Sequence, residues 1–425
     1  MATAQVYVIN DGSGTPRVVR RSHTTITVMQ LQPGEYVVTF PETLRDLTCV
    51  ATLNNSVGTI TAIPGEHAGL SPHQVRVLTS TLTNALAGTY DFSLVVFAAR
   101  AAERPQQTFY VEGRHLYDPC GEQVILRGVN KMAVWNDADP ICATVFPEIK
   151  QTGANVVRIV WLTDGSGNTN ATLSSMDAVI QQCRDNQIIP MIELHDATGD
   201  WSRLGTLVEF WTRPEVVHVV QKHAAYLLVN IGNEVGDDQV TDADFQMGYS
   251  AAITAIRQAS ITVPLVIDAA CWGQGMSYIL NNAVALLAQD PNLIFSLHVW
   301  WHYHVNAAAD FVQAIDDVVV ANIPFIVGEF SGVCQECDNN NNDSPYTEIL
   351  TKCQEAAIGW IAWEWGPGNE YGTPPCPAMN MTTDGHYATL QTGWARSVAV
   401  DHPYSIKNTA VTPYFLTHGR CAGEV

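Results

Sequence analysis

Two apolar runs in this 425-residue chain close on a glutamate: LLVNIGNE, ending at Glu234, and PFIVGEF, carrying Glu329. A carboxylate where a hydrophobic strand ends is costly unless a site uses it. Two of them facing each other across a cleft open one kind of chemistry. One, kept protonated, donates to a leaving oxygen, while the other, kept charged, attacks a carbon. Different surroundings set such a pair apart. Arg158 in NVVRIVW and His298 in SLHVW are candidates to give Glu329 positive charge or hydrogen bonds. Glu234, less solvated and near an anion, is then expected to keep its proton. Either glutamate alone could equally be paired with a loop Lys or Arg; the pair together argues for chemistry. Glu193 should point the same way as His195 and orient its neighbours, Glu364 is ambiguous, and Asp237 and Asp238 read as a solvated loop.

The elements that must position these residues follow from the rhythm of the chain. From about Gln106, apolar strands alternate with helical segments, the signature of βα units and a parallel sheet. The strands are VILRGVN (124–130), NVVRIVW (155–161), IIPMIELH (188–195), AYLLVNIGNE (225–234), PLVIDAA (264–270), LIFSLHVW (293–300), PFIVGEF (324–330) and GWIAWEW (359–365). Helical stretches such as LSSMDAVIQQCRDN and ADFVQAIDDVVVAN lie between them. Eight such units predict an α/β fold of the (β/α)8 TIM-barrel type, with the site at the C-terminal ends of the strands. A doubly wound sheet fits less well, since no G-x-G-x-x-G follows the first strand. Residues 1–104 read instead as an all-β sandwich, Ig-like or carbohydrate-binding-like. QVYVIN, TTITVM, EYVVTF, QVRVLTSTL and YDFSLVVFAA are rich in β-branched and aromatic residues and punctuated by Gly, Pro, Asn and Asp. Ala99–Thr108 reads as the linker and 105–425 as the catalytic domain.

Trp135, Trp161, Trp201, Trp272, Trp300, Trp301, Trp363 and Trp365 all fall at or just after predicted strand ends. An indole is a flat apolar platform with one donor, suited to the apolar face of a sugar ring. About half are expected in the core. The formal charge of −21, from 42 acidic and 21 basic residues, argues against nucleic acid and anionic membrane as partners. No apolar run reaches the ~20 residues of a membrane span. MATAQVYVINDGSG lacks a basic and then apolar leader pattern, so the protein either stays inside or has lost a leader. Ten cysteines in a chain of this length do not form a disulfide scaffold. Cys183 and Cys271, in apolar surroundings, read as buried thiols. Cys334, Cys337, Cys353 and Cys376 cluster late in the chain. C-Q-E-C could seed a zinc site, but no paired CxxC follows, so a local disulfide or free thiols fit better. The Asn- and Asp-rich 334–343 stretch lacks EF-hand spacing.

These residues together resemble glycoside hydrolase family 5, over about residues 115–400. The resemblance implies that Asn233–Glu234 supplies the acid/base Glu234 and Glu329 the nucleophile, with Arg158 supporting it. His195 resembles the third-strand histidine, His298 the sixth-strand one, and Trp363 the aromatic floor under the sugar. Asn233 would hold that sugar's 2-hydroxyl. Trp135, Trp272, Trp300 and Trp365 are the further substrate-binding or supporting candidates. GVNKMAVW, ELHDATG, VIDAACWGQ and GWIAWEW are similar to the bacterial β-mannanase branch. The pattern departs at Val235, where a proline is usual, at Trp300, where a tyrosine is usual, and at Lys131 and Ala133, where the branch often has histidines. The implied activity is a retaining endo-β-1,4-glycanase acting on a polysaccharide, most simply a mannan, with no cofactor or metal. An endo-β-1,4-glucanase and a non-hydrolytic carbohydrate-binding protein are the alternatives. A polysaccharide substrate implies secretion. The N-terminal part carries no tryptophan, which weighs against a glycan-binding role for it, and the oligomeric state stays open.

Overall fold

The structure, a computed structural model, describes residues 2–9, 16–21, 27–39, 45–54, 58–64, 74–81, 90–99, 108–301, 304–333, 344–369 and 375–422. The chain divides into two units, Met1–Glu103 and Arg104–Val425. Among the described residues of the first, eight strands make two antiparallel sheets: β1 (Ala2–Ile9), β2 (Arg17–Arg21), β3 (Thr27–Gln32), β4 (Glu35–Thr39), β5 (Arg45–Asn54), β6 (Thr59–Pro64), β7 (Gln74–Ser80) and β8 (Asp91–Ala99). The sheet orders are β2-β1-β8-β5 and β3-β4-β7-β6. Alternation decides what they bury. Val75 and Val77 of β7 are inside while their sequence neighbours are half-exposed, and they join Val8, Tyr36, Val38, Phe92 and Leu94 in one cluster drawn from both sheets. The linker expected at Ala99–Thr108 lies, between its two end residues, outside the described residues.

The second unit opens with a small antiparallel sheet, β9 (Tyr110–Glu112), β10 (His115–Tyr117) and β11 (Gln123–Val124). A closed parallel barrel follows: β12 (Arg127–Lys131), β13 (Val156–Trp161), β14 (Ile189–Leu194), β15 (Leu228–Asn230), β16 (Leu265–Asp268), β17 (Leu293–His298), β18 (Phe325–Glu329) and β19 (Gly359–Ala362). This is the (β/α)8 architecture read from the sequence. The intervening helices bury the stripe their spacing predicts. The helix Leu173–Asp185 turns Met176, Val179, Ile180 and Cys183 inward and is capped by Thr172, whose hydroxyl accepts from the Ser175 amide. The helix Ala307–Val320 buries Phe311, Ala314, Ile315 and Val318. No described helix is long and apolar enough to cross a membrane.

Period-2 alternation also stacks the barrel interior in layers. Val156, Met191, Leu228, Val266, Ile294, Ile326 and Ile361 form an apolar floor, joined from below by Val111 and Leu116 of the small sheet. Two residues further along the same strands, the inward positions turn polar: Arg158, Glu193, Asn230, Asp268 and Ser296 are all fully buried. Two strands are shorter than their apolar runs. β15 stops at Asn230, so Asn233 and Glu234 lie in the turn beyond it. β19 stops at Ala362, ahead of Trp363.

A disulfide absent from the sequence reading joins Cys120 to Cys421, closing the barrel unit's first and last segments across 301 residues. Cys183 is buried as expected, but Cys271 is only half-buried, because it sits in a loop beyond β16 rather than in the strand. Cys353 is a buried free thiol on the helix Tyr346–Ala356, whereas Cys376 is disulfide-bonded, so the two do not form a common ligand set. The C-Q-E-C stretch and the Asn/Asp-rich 334–343 segment lie outside the described residues.

Candidate active site

Arg158 organises the mouth. It is fully buried, and each of its five N–H donors has an acceptor. Nε donates to Asn230 Oδ1 (3.0 Å), and Nη1 to Asn130 Oδ1 (3.1 Å) and Glu329 Oε1 (2.7 Å). Nη2 donates to Asn233 Oδ1 (2.8 Å) and Asp268 Oδ2 (3.1 Å). A guanidinium saturated in this way cannot swing, so the Glu329 oxygen it holds is fixed relative to β12, β13, β15 and β16. Asn130 adds a tie from β12 to β18 by donating to the Gly328 carbonyl (3.0 Å). The other Glu329 oxygen accepts from the Trp300 indole N–H at 3.3 Å.

Glu234 is reached differently. Its backbone lies in the left-handed region at φ +46°, where a non-glycine residue costs about 1–3 kcal/mol. Its amide, leaving the strand ladder, donates to Asp268 Oδ2 (3.1 Å), and its carbonyl accepts from the Gly199 amide (2.8 Å). The turned backbone aims the carboxyl back over the barrel axis. There Oε1 meets His298 Nδ1 at 2.7 Å. One oxygen each of Glu234 and Glu329 and one nitrogen of His298 lie within 4.8 Å of one another. That is short of the ~6.5–9.5 Å that two carboxyl groups need to admit a water between them and a sugar.

The surroundings of Glu234 favour its protonated form. Burial, outweighing the pull of His298, raises the Glu234 carboxyl above its usual range, with Glu329 adding to the effect. Burial alone would lower His298, but Glu329 and Asp268 outweigh it and hold the imidazole up at about 10, a cation at neutral pH. Its Nδ1–H therefore donates to one oxygen of Glu234 and leaves the acid proton to the other. Asp268 is pushed up by burial and pulled down further by His298 and Arg158, ending well below the usual carboxylate range. The cluster of Glu234, His298 and Glu329 has the density of a cation ligand set, but a metal there would first have to displace the proton His298 holds.

The remaining predicted residues divide. His195 carries Glu193 on Nδ1 (2.8 Å) and the Asn233 amide near Nε2 (3.3 Å), and lies between Trp135 edge-on (ring centroids 5.5 Å) and Trp363 stacked at 6.1 Å. Glu193 thus orients a neighbour, as its alternation implied. Trp363 is fixed by donation to Asn369 Oδ1 (3.2 Å). Trp135 and Trp272 are the two tryptophans with large exposed faces, 39% and 42%. Trp365 must be corrected as a substrate-binding candidate. Beyond the end of β19 it turns outward into the main core, fully buried, with its N–H on the Gly385 carbonyl (2.8 Å). Trp161 and Trp301 are buried in the same core. Lys131 is also fully buried, on the Gly366 and Pro367 carbonyls (3.0 Å each) and 3.5 Å from Glu364, so it does not stand in for a histidine at the mouth.

Three residues of the site were not singled out from sequence: Asp268, Asn230 and Thr198, whose hydroxyl accepts from Asn233 Nδ2 (2.9 Å). The first two carried a usable signal, since each is a polar residue at the inward-facing phase of an apolar strand.

The Cellulase (glycosyl hydrolase family 5) family model matches residues 117–369. The chain is 31% identical over 293 residues to a mannan endo-1,4-beta-mannosidase of Salipaludibacillus agaradhaerens, covering 68% of this chain and 86% of that protein. It is 30% identical over 290 residues to one of Streptomyces lividans, covering 66% and 72%. Among solved structures, the beta-mannanase of Thermomonospora fusca superposes with a TM-score of 0.65 at 30% identity, covering 73% of this chain and 99% of that one.

Proposed function

The chain belongs to glycosyl hydrolase family 5, and from that premise we propose that it is a retaining endo-β-1,4-mannanase in which Glu329 attacks and Glu234 is the acid/base. The observation that carries the assignment is the contrast between the two carboxyls. One is held by the guanidinium of Arg158, and the other meets His298 instead and is raised above its usual range by burial, with oxygens within 4.8 Å. Glu329 forms a bond to the anomeric carbon as that carbon's bond to the leaving oxygen breaks, and Glu234 passes its proton to that oxygen. Glu234, now charged beside the His298 cation, then takes a proton from water, whose oxygen displaces Glu329. Arg158 and the Trp300 N–H bear the charge that returns to Glu329. An indole stays a donor across the pH range in which a tyrosine at that position would ionise.

Trp363, level with His195 and anchored by Asn369, is suited to be the floor under the sugar being cleaved. Trp135 and Trp272 offer platforms for sugars further along the chain. Asn233, oriented by Arg158 and Thr198, is the candidate to meet a 2-hydroxyl, the group that distinguishes mannose from glucose. The similar proteins named as mannosidases favour mannan over cellulose. A polysaccharide substrate and the Cys120–Cys421 bridge both favour work outside the cell, since such bridges persist in oxidising surroundings. The test is reducing-sugar release from β-mannan, glucomannan and carboxymethylcellulose, with the anomer of the first product read by proton NMR. We expect the mannans to be cut and the β-anomer to appear first. Turnover of carboxymethylcellulose alone would move the assignment to a glucanase, and binding without product release to a carbohydrate-binding protein.

A further inference from the structure

Both proposed reacting glutamates are held in part by groups that Asp268 touches, a side chain that the reaction itself does not use. It ends β16, is fully buried, and touches four partners. Oδ2 accepts from the Glu234 amide (3.1 Å) and from Arg158 Nη2 (3.1 Å), and lies 3.4 Å from His298 Nε2, an ion-pair contact rather than an aligned hydrogen bond. Oδ1 accepts from Asn230 Nδ2 (3.3 Å), and Asn230 in turn receives Arg158 Nε. Asp268 thus grips Glu234 by its backbone, Glu234 by way of His298, and Glu329 by way of Arg158.

We infer that Asp268 is a positioning residue for the reaction: a buried anion that captures the left-handed turn at Glu234 and pins the two cations, Arg158 and His298, between the acid/base and the nucleophile. The inference rests on the roles proposed above for Glu234 and Glu329. A non-glycine residue at φ +46° has lost its strand partner, so its amide needs an acceptor inside the barrel, and Asp268 supplies one with full charge. Further, His298 donates to Glu234 from Nδ1, and the anion across the ring from that bond, at Nε2, fixes both the ring's orientation and its charge. The charged and titratable groups that face Asp268 are Arg158 on β13, Glu234 beyond β15 and His298 on β17, with Tyr249 of the helix Asp242–Gln258 as the further group its field reaches.

Asp268→Asn keeps the shape and an acceptor oxygen but removes the charge. On the soluble mannan that the wild type turns over, we expect kcat to fall about 10–100-fold with KM within about twofold, the scale of loss when reacting groups move slightly out of line. In 15N-histidine spectra, His298 should lose its imidazolium proton at a lower pH in the variant than in the wild type, a readout that a purely structural role would leave in place. A kcat within twofold of wild type, a loss carried by KM, or an unmoved His298 titration would each overturn the inference. If the variant does not fold, the wild type alone decides it: a His298 ring already neutral at pH 7 rules out the charge pairing. A wild type inactive on mannan but with a charged His298 would count against the proposed activity and not against this arrangement.

Discussion

At the residue scale the site is an arrangement of charges that would be unstable apart. Arg158, Asp268 and Glu329 are buried together, and breaking one such pair by removing a partner costs about 3–5 kcal/mol. The two glutamates should therefore fail in different ways. Glu234→Gln should reduce turnover of mannan about 10²–10⁴-fold, but far less for an aryl mannoside whose leaving group needs no proton. Glu329→Gln should lose nearly all turnover on both substrates and show no glycosyl-enzyme by mass spectrometry. Because burial raises Glu234, its acid form persists to higher pH, and wild-type rate should fall as pH climbs through that raised value. A pH–rate profile should show this alkaline limb in the wild type and its loss in Glu234→Gln. Equal losses on both substrates would contradict the acid/base assignment.

At the element scale, the loops beyond β15 and β16 are decisive. Cys271, Trp272 and Gly273 follow one another at φ +58°, +51° and +73°, a tight reversal that returns the chain under His298. The Gly273 carbonyl accepts from the His298 amide (2.8 Å), and a Cβ at Gly273 would lie 2.7 Å from the imidazole Cγ. Gly273→Ala should therefore push the ring off Glu234, with kcat down at least tenfold and a stability loss of about 1–2 kcal/mol. Steady-state kinetics alongside thermal melting would read both, and an unchanged kcat would mean that the loop does not set the His298 position. The strands themselves were legible in outline. Alternation turned Glu193 inward as the structure has it, but the apolar run through Ile231 hid the early end of β15, because hydrophobicity reports burial and not the loss of ladder pairing.

At the scale of the whole molecule, the barrel unit is closed twice, by its strands and by the Cys120–Cys421 bridge on the side of the barrel opposite the mouth. A loop of 301 residues is long enough for the bridge to restrict the unfolded chain strongly. Replacing both cysteines by serine should cost ~2–5 kcal/mol and lower Tm by roughly 5–15 °C, with kcat at 25 °C unchanged because neither residue reaches the mouth. Differential scanning calorimetry with and without reductant measures it, and an unmoved Tm would show the bridge to be dispensable.

Local pattern alone was enough for the eight βα units, the strand-end position of Glu329 and the family, since periodicity and short motifs are written along the chain. It also put Asn233, His195 and Trp363 near the mouth, though all three lie just beyond the ends of their strands. The tertiary structure decided what converges in space: Asp268 beneath Glu234 and His298, the saturation of Arg158 by four different strands and the turns beyond them, the retreat of Trp365 into the core, and the pairing of Cys120 with Cys421. These depend on register around a closed ring and on which side a chain takes after its strand ends. Both are set by contacts between residues tens to hundreds of positions apart, which no single stretch of sequence records.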